Sequence, residues 1–205
     1  GLYGVFLTGD MINRYVFFEL TVLTTYVLLT YTGSKRSFLA SYKYLVVGSI
    51  ASFFFLAGIG LIYFYTGYLD FKALSKVVPA LSANKRNIIF AFILVAVGVK
   101  AGLIPFHTWL PDAHVSAPTP MTAVLAGVTV KTGAYIVIKF LSIGFTTPLI
   151  RTTLTVLGLI TGVLALLISL KYWDLKRILA WHTIAQMGII LAVISIWTPL
   201  TVASG

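Results

Sequence analysis

The sequence predicts an all-α, polytopic transmembrane helical bundle containing a proline-broken helix, and three observations carry that reading. The chain of 205 residues is 59% hydrophobic and only 10% charged. Its mean hydropathy of +1.00 lies outside the range of soluble domains. Several apolar runs reach the ~20 residues needed to cross ~30 Å of hydrocarbon at ~1.5 Å per residue. Residues 1–205 therefore read as a single transmembrane domain, with no length left over for a separate soluble one.

About five full crossings are expected, preceded at Gly1 to Thr8 by the tail of an earlier helix. Residues 10–32 form the first crossing, followed by a basic connection with Lys35, Arg36 and Lys43 that suits a polar turn at the membrane surface. Residues 44–65 form the second. Over 70–81, Phe71, Leu74, Val77 and Val78 recur near the helical period while Lys72 and Lys76 fall on another face, which predicts a short interfacial helix. Residues 87–104 make the third crossing. It stops at Pro105, whose ring excludes the helical conformation one turn back and whose nitrogen donates no hydrogen bond. Residues 105–114 then read as a re-entrant or interfacial segment. Pro118 and Pro120 open the crossing at 120–142, since proline is tolerated in a first helical turn. Residues 151–172 and 175–197 complete the set.

Composition also bounds the function. The 15 basic and 5 acidic residues leave a net charge of +10, with most basic residues in the short connections, as loop lysines and arginines are in membrane proteins. The lipid bilayer is the implied partner, and nucleic acid is not. Lys35, Arg36, Lys43, Lys171, Lys176 and Arg177 collect on one side, and Lys72, Lys76, Lys85, Arg86 and Arg151 on the other. The two sets are too evenly matched to orient the chain. The absence of cysteine excludes disulfides and thiolate-bound iron–sulfur clusters. No cofactor is expected. His107 and His114 flank a proline and share no helical face, so no metal site is expected there either. No signal peptide is visible, and the chain reads as a fragment of a longer one or as a split protein.

The informative residues are the charges inside apolar segments. Lys131 lies some ten residues from either end of its crossing, where a charge costs on the order of 2.5–3.5 kcal/mol on insertion scales and so marks an ion path. Thr129, Thr132 and Tyr135 offer nearby hydroxyls. Lys139 lies about 12 Å further along the axis and either continues a path or snorkels to the interface. Glu19 falls near the bilayer centre, as a structural ion-pair partner or as a proton acceptor. Lys100 stands just before the Pro105 break, where displaced carbonyls and water can hydrate an ion, or it snorkels to a nearby interface from the last residues of its helix. Burial disfavours a charged lysine and a nearby carboxylate favours it, so a Glu19–Lys100 pair would be a switchable proton site. His182 and Gln186 are four apart and share a helix face, which suits either a proton relay or packing between helices.

These residues carry a resemblance. The runs Lys100 to His114 (KAGLIPFHTWLPDAH), Ala117 to Pro120 (APTP) and Leu125 to Tyr135 (LAGVTVKTGAY) resemble the antiporter-like membrane subunits of respiratory complex I, Mrp cation/proton antiporters and membrane-bound hydrogenases. Gly9 to Glu19 (GDMINRYVFFE) is similar to that family's glutamate-bearing helix, especially in its Mrp D-type branch, and Asp174 to Gly188 is similar to a later helix start. The resemblance implies that Glu19 and Lys100 are the family's paired carboxylate and lysine, and that Lys131 is the central lysine of the next helix. It implies one inverted repeat plus part of a second, the crossings at 151–172 and 175–197 beginning the second. It also puts Lys171 to Arg177 on the cytoplasmic side. Gln186 stands where some members carry histidine, so His182, four residues earlier, does not simply take over that role.

The function expected from residues and resemblance together is translocation of protons, or sodium/proton exchange, by a subunit of a multisubunit energy-converting complex of the Mrp or membrane-bound hydrogenase type. Its ion-translocation residues would be Glu19, Lys100, Lys131, Lys139 and His182, with Pro105 breaking the helix. Its partners would be other membrane subunits and a hydrophilic redox arm, in a prokaryotic cytoplasmic membrane, and it would hold no redox or hydrolytic site of its own. The alternatives are a secondary transporter for an organic solute and a structural membrane scaffold.

Overall fold

The structure, a computed structural model, describes residues 1–202, with side chains through Ile196. Its helices are α1 (Leu2–Leu7), α2 (Met11–Thr30), α3 (Lys35–Thr66), α4 (Phe71–Val77), α5 (Ala83–Ala101), α6 (Trp109–Ser116), α7 (Thr119–Val124), α8 (Lys131–Ser142), α9 (Pro148–Ser169) and α10 (Leu175–Val202). Short 3-10 turns follow α4 (Val78–Ala80) and precede α6 (Phe106–Thr108), and a π-helical segment, Leu125–Thr129, joins α7 to α8. Among the described residues six helical stretches are long and apolar enough to cross a membrane. The chain is a multi-pass membrane protein. Large apolar side chains such as Leu39, Phe53, Phe64 and Leu167 cover its outside, the arrangement suited to a lipid solvent.

Capping side chains set the helix starts. Asp10 accepts from the Asn13 N–H at 2.9 Å, Ser34 from the Ser37 N–H at 3.1 Å, and Asp70 from the Lys72 and Ala73 N–H groups at 2.9 and 3.1 Å. Thr147 caps α9 ahead of Pro148, which needs no donor in the first turn. The Ser34 cap starts α3 earlier than the sequence suggested. Lys35, Arg36 and Lys43 accordingly lie on a helix and not in a polar turn, because serine at the cap offers an orphan N–H a partner that a length criterion ignores. At one end of the bundle the starts of α2 and α4 are tied together by Met11 N–H to Leu69 O and Phe71 N–H to Gly9 O, both 3.1 Å, and Arg86 donates to Gly144 O at 2.9 Å. At the other end Lys43 meets Asp112 at 2.7 Å, and Lys176 donates to Ala117 O at 2.8 Å.

The apolar stretch Ala83–Ser116 is broken in its middle, and the manner of the break shapes the centre of the bundle. Gly102 stops α5. Its φ of +68° is left-handed, a conformation that any side chain would strain. The Leu103 N–H reaches Gly98 O at 2.8 Å and the Gly102 N–H reaches Val99 O at 3.2 Å, the paired bonds of a Schellman end. Pro105 sits in the gap and heads the following 3-10 turn, so proline keeps the helix from resuming while glycine three residues earlier ends it. The other freed groups are answered by neighbouring helices. Trp109 Nε1 donates to Val99 O at 2.8 Å, and the Ile104 N–H donates to Thr161 Oγ1 of α9 at 3.2 Å. α8 crosses against this break at Gly133, where an added Cβ would lie 2.9 Å from the Ala101 Cβ and 3.1 Å from its nitrogen.

Buried deeply, Trp109 is therefore a strut as well as a core residue. Trp109→Phe keeps an aromatic ring but leaves the Val99 carbonyl without its side-chain donor, and is expected to lower unfolding stability by about 1–3 kcal/mol. Reversible unfolding in mixed micelles measures this, with Trp173→Phe, at a 99% exposed position, as the neutral control.

Candidate functional site

Lys100 occupies the last turn of α5 and is 3% exposed. The C-terminal end of a helix carries partial negative charge, which favours a cation there. Its Nζ donates to the Tyr44 hydroxyl of α3 at 3.3 Å and stands 4.9 Å from the centre of the Phe18 ring. Glu19 follows Phe18 on α2, and its Oε1 is buried without a hydrogen-bond partner. The field of the Glu19 carboxylate reaches both Lys100 and Tyr44.

Structure brings Glu19 and Lys100 together without a contact pair. Among the described residues the ion pair closer than 4.0 Å is Lys43–Asp112, and not Glu19–Lys100. Two unit charges further apart than 4 Å interact by less than about 4 kcal/mol at an effective dielectric of ~20. Beside the ammonium stand the Tyr44 hydroxyl, which takes one of its three donors, and the Phe18 ring.

Lys131 is the first residue of α8 and is half-buried. Its Nζ donates to the carbonyl of Ala126, inside the π segment. A widened turn leaves carbonyls outside the regular ladder, and such turns recur at functional sites. Here the lysine answers the carbonyl that the π segment exposes. Lys139, two turns on, stands 5.7 Å from the centre of the Tyr135 ring. Arg14 approaches the same ring at 5.4 Å, is 1% exposed and donates to Thr8 O at 2.7 Å. Lys139 thus belongs with Arg14 and Tyr135 towards the α2 start of the bundle. His182 and Gln186 do share a face of α10, but both are exposed on it, away from Lys100 and Lys131.

Two further residues stand beside these, of which His114 is marked in the sequence only as one of two histidines flanking a proline. His114 of α6 is fully buried, and both ring nitrogens lack a hydrogen-bond partner. Its backbone carbonyl accepts from Thr122 Oγ1 of α7 at 3.3 Å, and the carbonyl of Ala117, three residues on, accepts from Lys176, so His114 lies on the side of the bundle towards the Lys176 end. A signal for it existed: Trp109, Leu110, Ala113 and His114 form one stripe at helical spacing, so the histidine continues the buried face of its half-helix. Tyr44 is the second. Nothing in its own segment distinguishes it from the other tyrosines of α3.

Towards the Lys43–Asp112 end, His107 packs on Trp181 with ring centres 5.1 Å apart. With Asp112, Tyr172 and Arg177 these residues line a cleft of about 210 Å³. α6 is held at this end by the Lys43–Asp112 pair, whose side chains are 58% and 36% exposed.

Residues 8–203 match the family described as NADH:quinone oxidoreductase/Mrp antiporter, transmembrane region. The chain belongs to this family. It is 33% identical, over 99% of its length, to the D-type Na(+)/H(+) antiporter subunit of Alkalihalophilus pseudofirmus, of which it covers 42%. It is 37% identical, over 93% of its length, to the N-type NADH-quinone oxidoreductase subunit of Desulforudis audaxviator, of which it covers 39%. Its fold superposes with a TM-score of 0.87 and 33% identity on a chain of the membrane-bound sulfane sulfur reductase, an archaeal respiratory membrane complex, covering 95% of this chain and 40% of that one. The chain spans about two fifths of the length of these relatives.

The exposed pair at the α6 end gives a test of how this family member holds its half-helix. Surface ion pairs contribute about 0–1 kcal/mol, so Lys43→Ala is expected to change unfolding stability by no more than about 1 kcal/mol, as measured by unfolding in mixed micelles.

Proposed function

We propose that this chain is the ion-translocating part of an antiporter-like subunit, moving protons, or exchanging protons for sodium ions, through Glu19, Lys100, His114 and Lys131. The observation that carries the reading is a lysine 3% exposed at the end of a broken mid-bundle helix, in the field of a carboxylate whose oxygen is buried and unpaired. Intramembrane charges arranged in this way mark ion pathways.

The roles follow from the placement. Glu19 and Lys100 form a coupled but non-contacting pair, so protonation of one alters the other without a trapped ion pair. Lys131, bound to a π-segment carbonyl, is the next site, and His114, electrostatically linked to Lys131 and to Lys176, connects it towards the Lys176 end. Imidazole accepts and donates at its two nitrogens, which suits a relay between two lysines. Lys139 extends the series towards the opposite end, beside Tyr135. His182, on an exposed face, would join only through an element packed against α10.

The setting is a multisubunit complex of a prokaryotic cytoplasmic membrane, with other membrane subunits against the exposed apolar faces. Similarity to an antiporter subunit, a quinone reductase subunit and a sulfane sulfur reductase chain supports the shared ion-moving part more than any one source of driving force. An organic-solute transporter or a passive scaffold would leave the unpaired Glu19 oxygen and the buried Lys100 without a purpose.

In vesicles containing the native complex, Lys100→Ala is expected to reduce proton or sodium uptake at least about tenfold, with Lys131→Ala at least about tenfold lower as well, each corresponding to ~1.4 kcal/mol or more on the transport barrier. Unchanged uptake in Lys131→Ala removes Lys131 from the series, and unchanged uptake in Lys100→Ala overturns the reading.

A further inference from the structure

Tyr44 is 3% exposed and its ring packs on Trp109 with centres 4.9 Å apart, so the helix that closes the α5 break also fixes this phenol. Its hydroxyl receives the Lys100 Nζ at 3.3 Å, and Thr25, itself 3% exposed, is on α2 near this phenol without a regular hydrogen bond to it. Glu19 of α2 is the carboxylate whose field reaches both Tyr44 and Lys100. The other groups that touch the lysine or its phenol, the rings of Phe18 and Trp109, are uncharged.

We propose that Tyr44 is a positioning residue for Lys100, holding the lysine Nζ at the end of α5 in both of its protonation states and keeping it out of a contact ion pair with Glu19. A hydroxyl both donates and accepts. It accepts from the ammonium when Lys100 is charged, and it donates to the amine lone pair when Lys100 is neutral. A carboxylate in the same place would stabilise the ammonium alone and hold the proton. Thr25, near the same phenol on α2, would supply a second hydroxyl to orient it, whichever way its proton points. The inference rests on the reading that Lys100 carries protons.

The test compares Tyr44→Phe, Thr25→Val and Lys100→Ala in the native complex in pyranine-loaded vesicles, recording initial proton flux across a range of pH. Tyr44→Phe keeps the ring on Trp109 and removes only the hydroxyl. It is expected to slow flux about fivefold or more, the loss of one hydrogen bond, and to displace the pH profile of flux in a complex that still assembles. Thr25→Val is expected to slow flux by about twofold with a displacement in the same direction, and it carries the test if Tyr44→Phe does not assemble. Flux and pH profile unchanged in Tyr44→Phe, or unchanged in Thr25→Val where that variant carries the test, overturn the proposal when Lys100→Ala is inactive. Full flux in Lys100→Ala overturns the underlying reading instead, and the proposal with it.

Discussion

A helix that ends inside a bundle of bilayer thickness has no water to satisfy its last carbonyls, and the rest of this structure is arranged around the way α5 meets that constraint. Gly102 turns the chain left-handed, and Leu103 and Gly102 return their N–H groups to Gly98 and Val99. Trp109 comes back from the following half-helix to cover Val99 O, and Thr161 receives the Ile104 N–H. Each contact recruits a different helix. The break therefore fixes the positions of α6 and α9 around α5 and does not loosen the bundle.

The same end makes a place for a cation. Lys100 sits in the last turn, where the helix carries partial negative charge, and it is joined there by a phenol from α3 and the field of a carboxylate from α2. Gly133 lets α8 pass against Ala101, which brings the π segment and Lys131 to the neighbouring helix. His114 is carried inwards by the buried face of α6. Backbone accounting and charge placement are thus one problem: the residues that close the broken helix are adjacent, in sequence or in contact, to those that hold the charges.

Much of this was legible in the sequence because charge in an apolar run is an unambiguous signal. Glu19, Lys100 and Lys131 stand out by composition alone, and Pro105 marks the gap. The family's motifs around Lys100 and Lys131 are dense enough to name it. The stop at Gly102 was less visible, since glycine in Lys100-Ala101-Gly102 reads equally well as a small packing residue until its φ is known. The π segment was not visible, because Leu125 to Thr129 contains no residue type that demands a widened turn. Tyr44 does not stand out in the sequence, because its partner Lys100 is 56 residues away and no local period encodes such a distance, whereas His114 stands out only as one of two histidines flanking a proline. Which neutral groups stand beside Lys100 was not legible either, since sequence gives the helix of each charge but not that the Tyr44 hydroxyl and the Phe18 ring meet it.

Proton movement along the proposed series requires Lys100 to change protonation state in the folded, membrane-embedded complex. Nitrogen-15 magnetic resonance of lysine side chains in bilayers, with the Lys100 signal assigned by its loss in Lys100→Arg, measures this directly. The account predicts that Lys100 Nζ passes between ammonium and amine within the pH range over which the complex moves ions. A Lys100 signal that remains a single ammonium across that whole range, in a complex that is transporting, would contradict it.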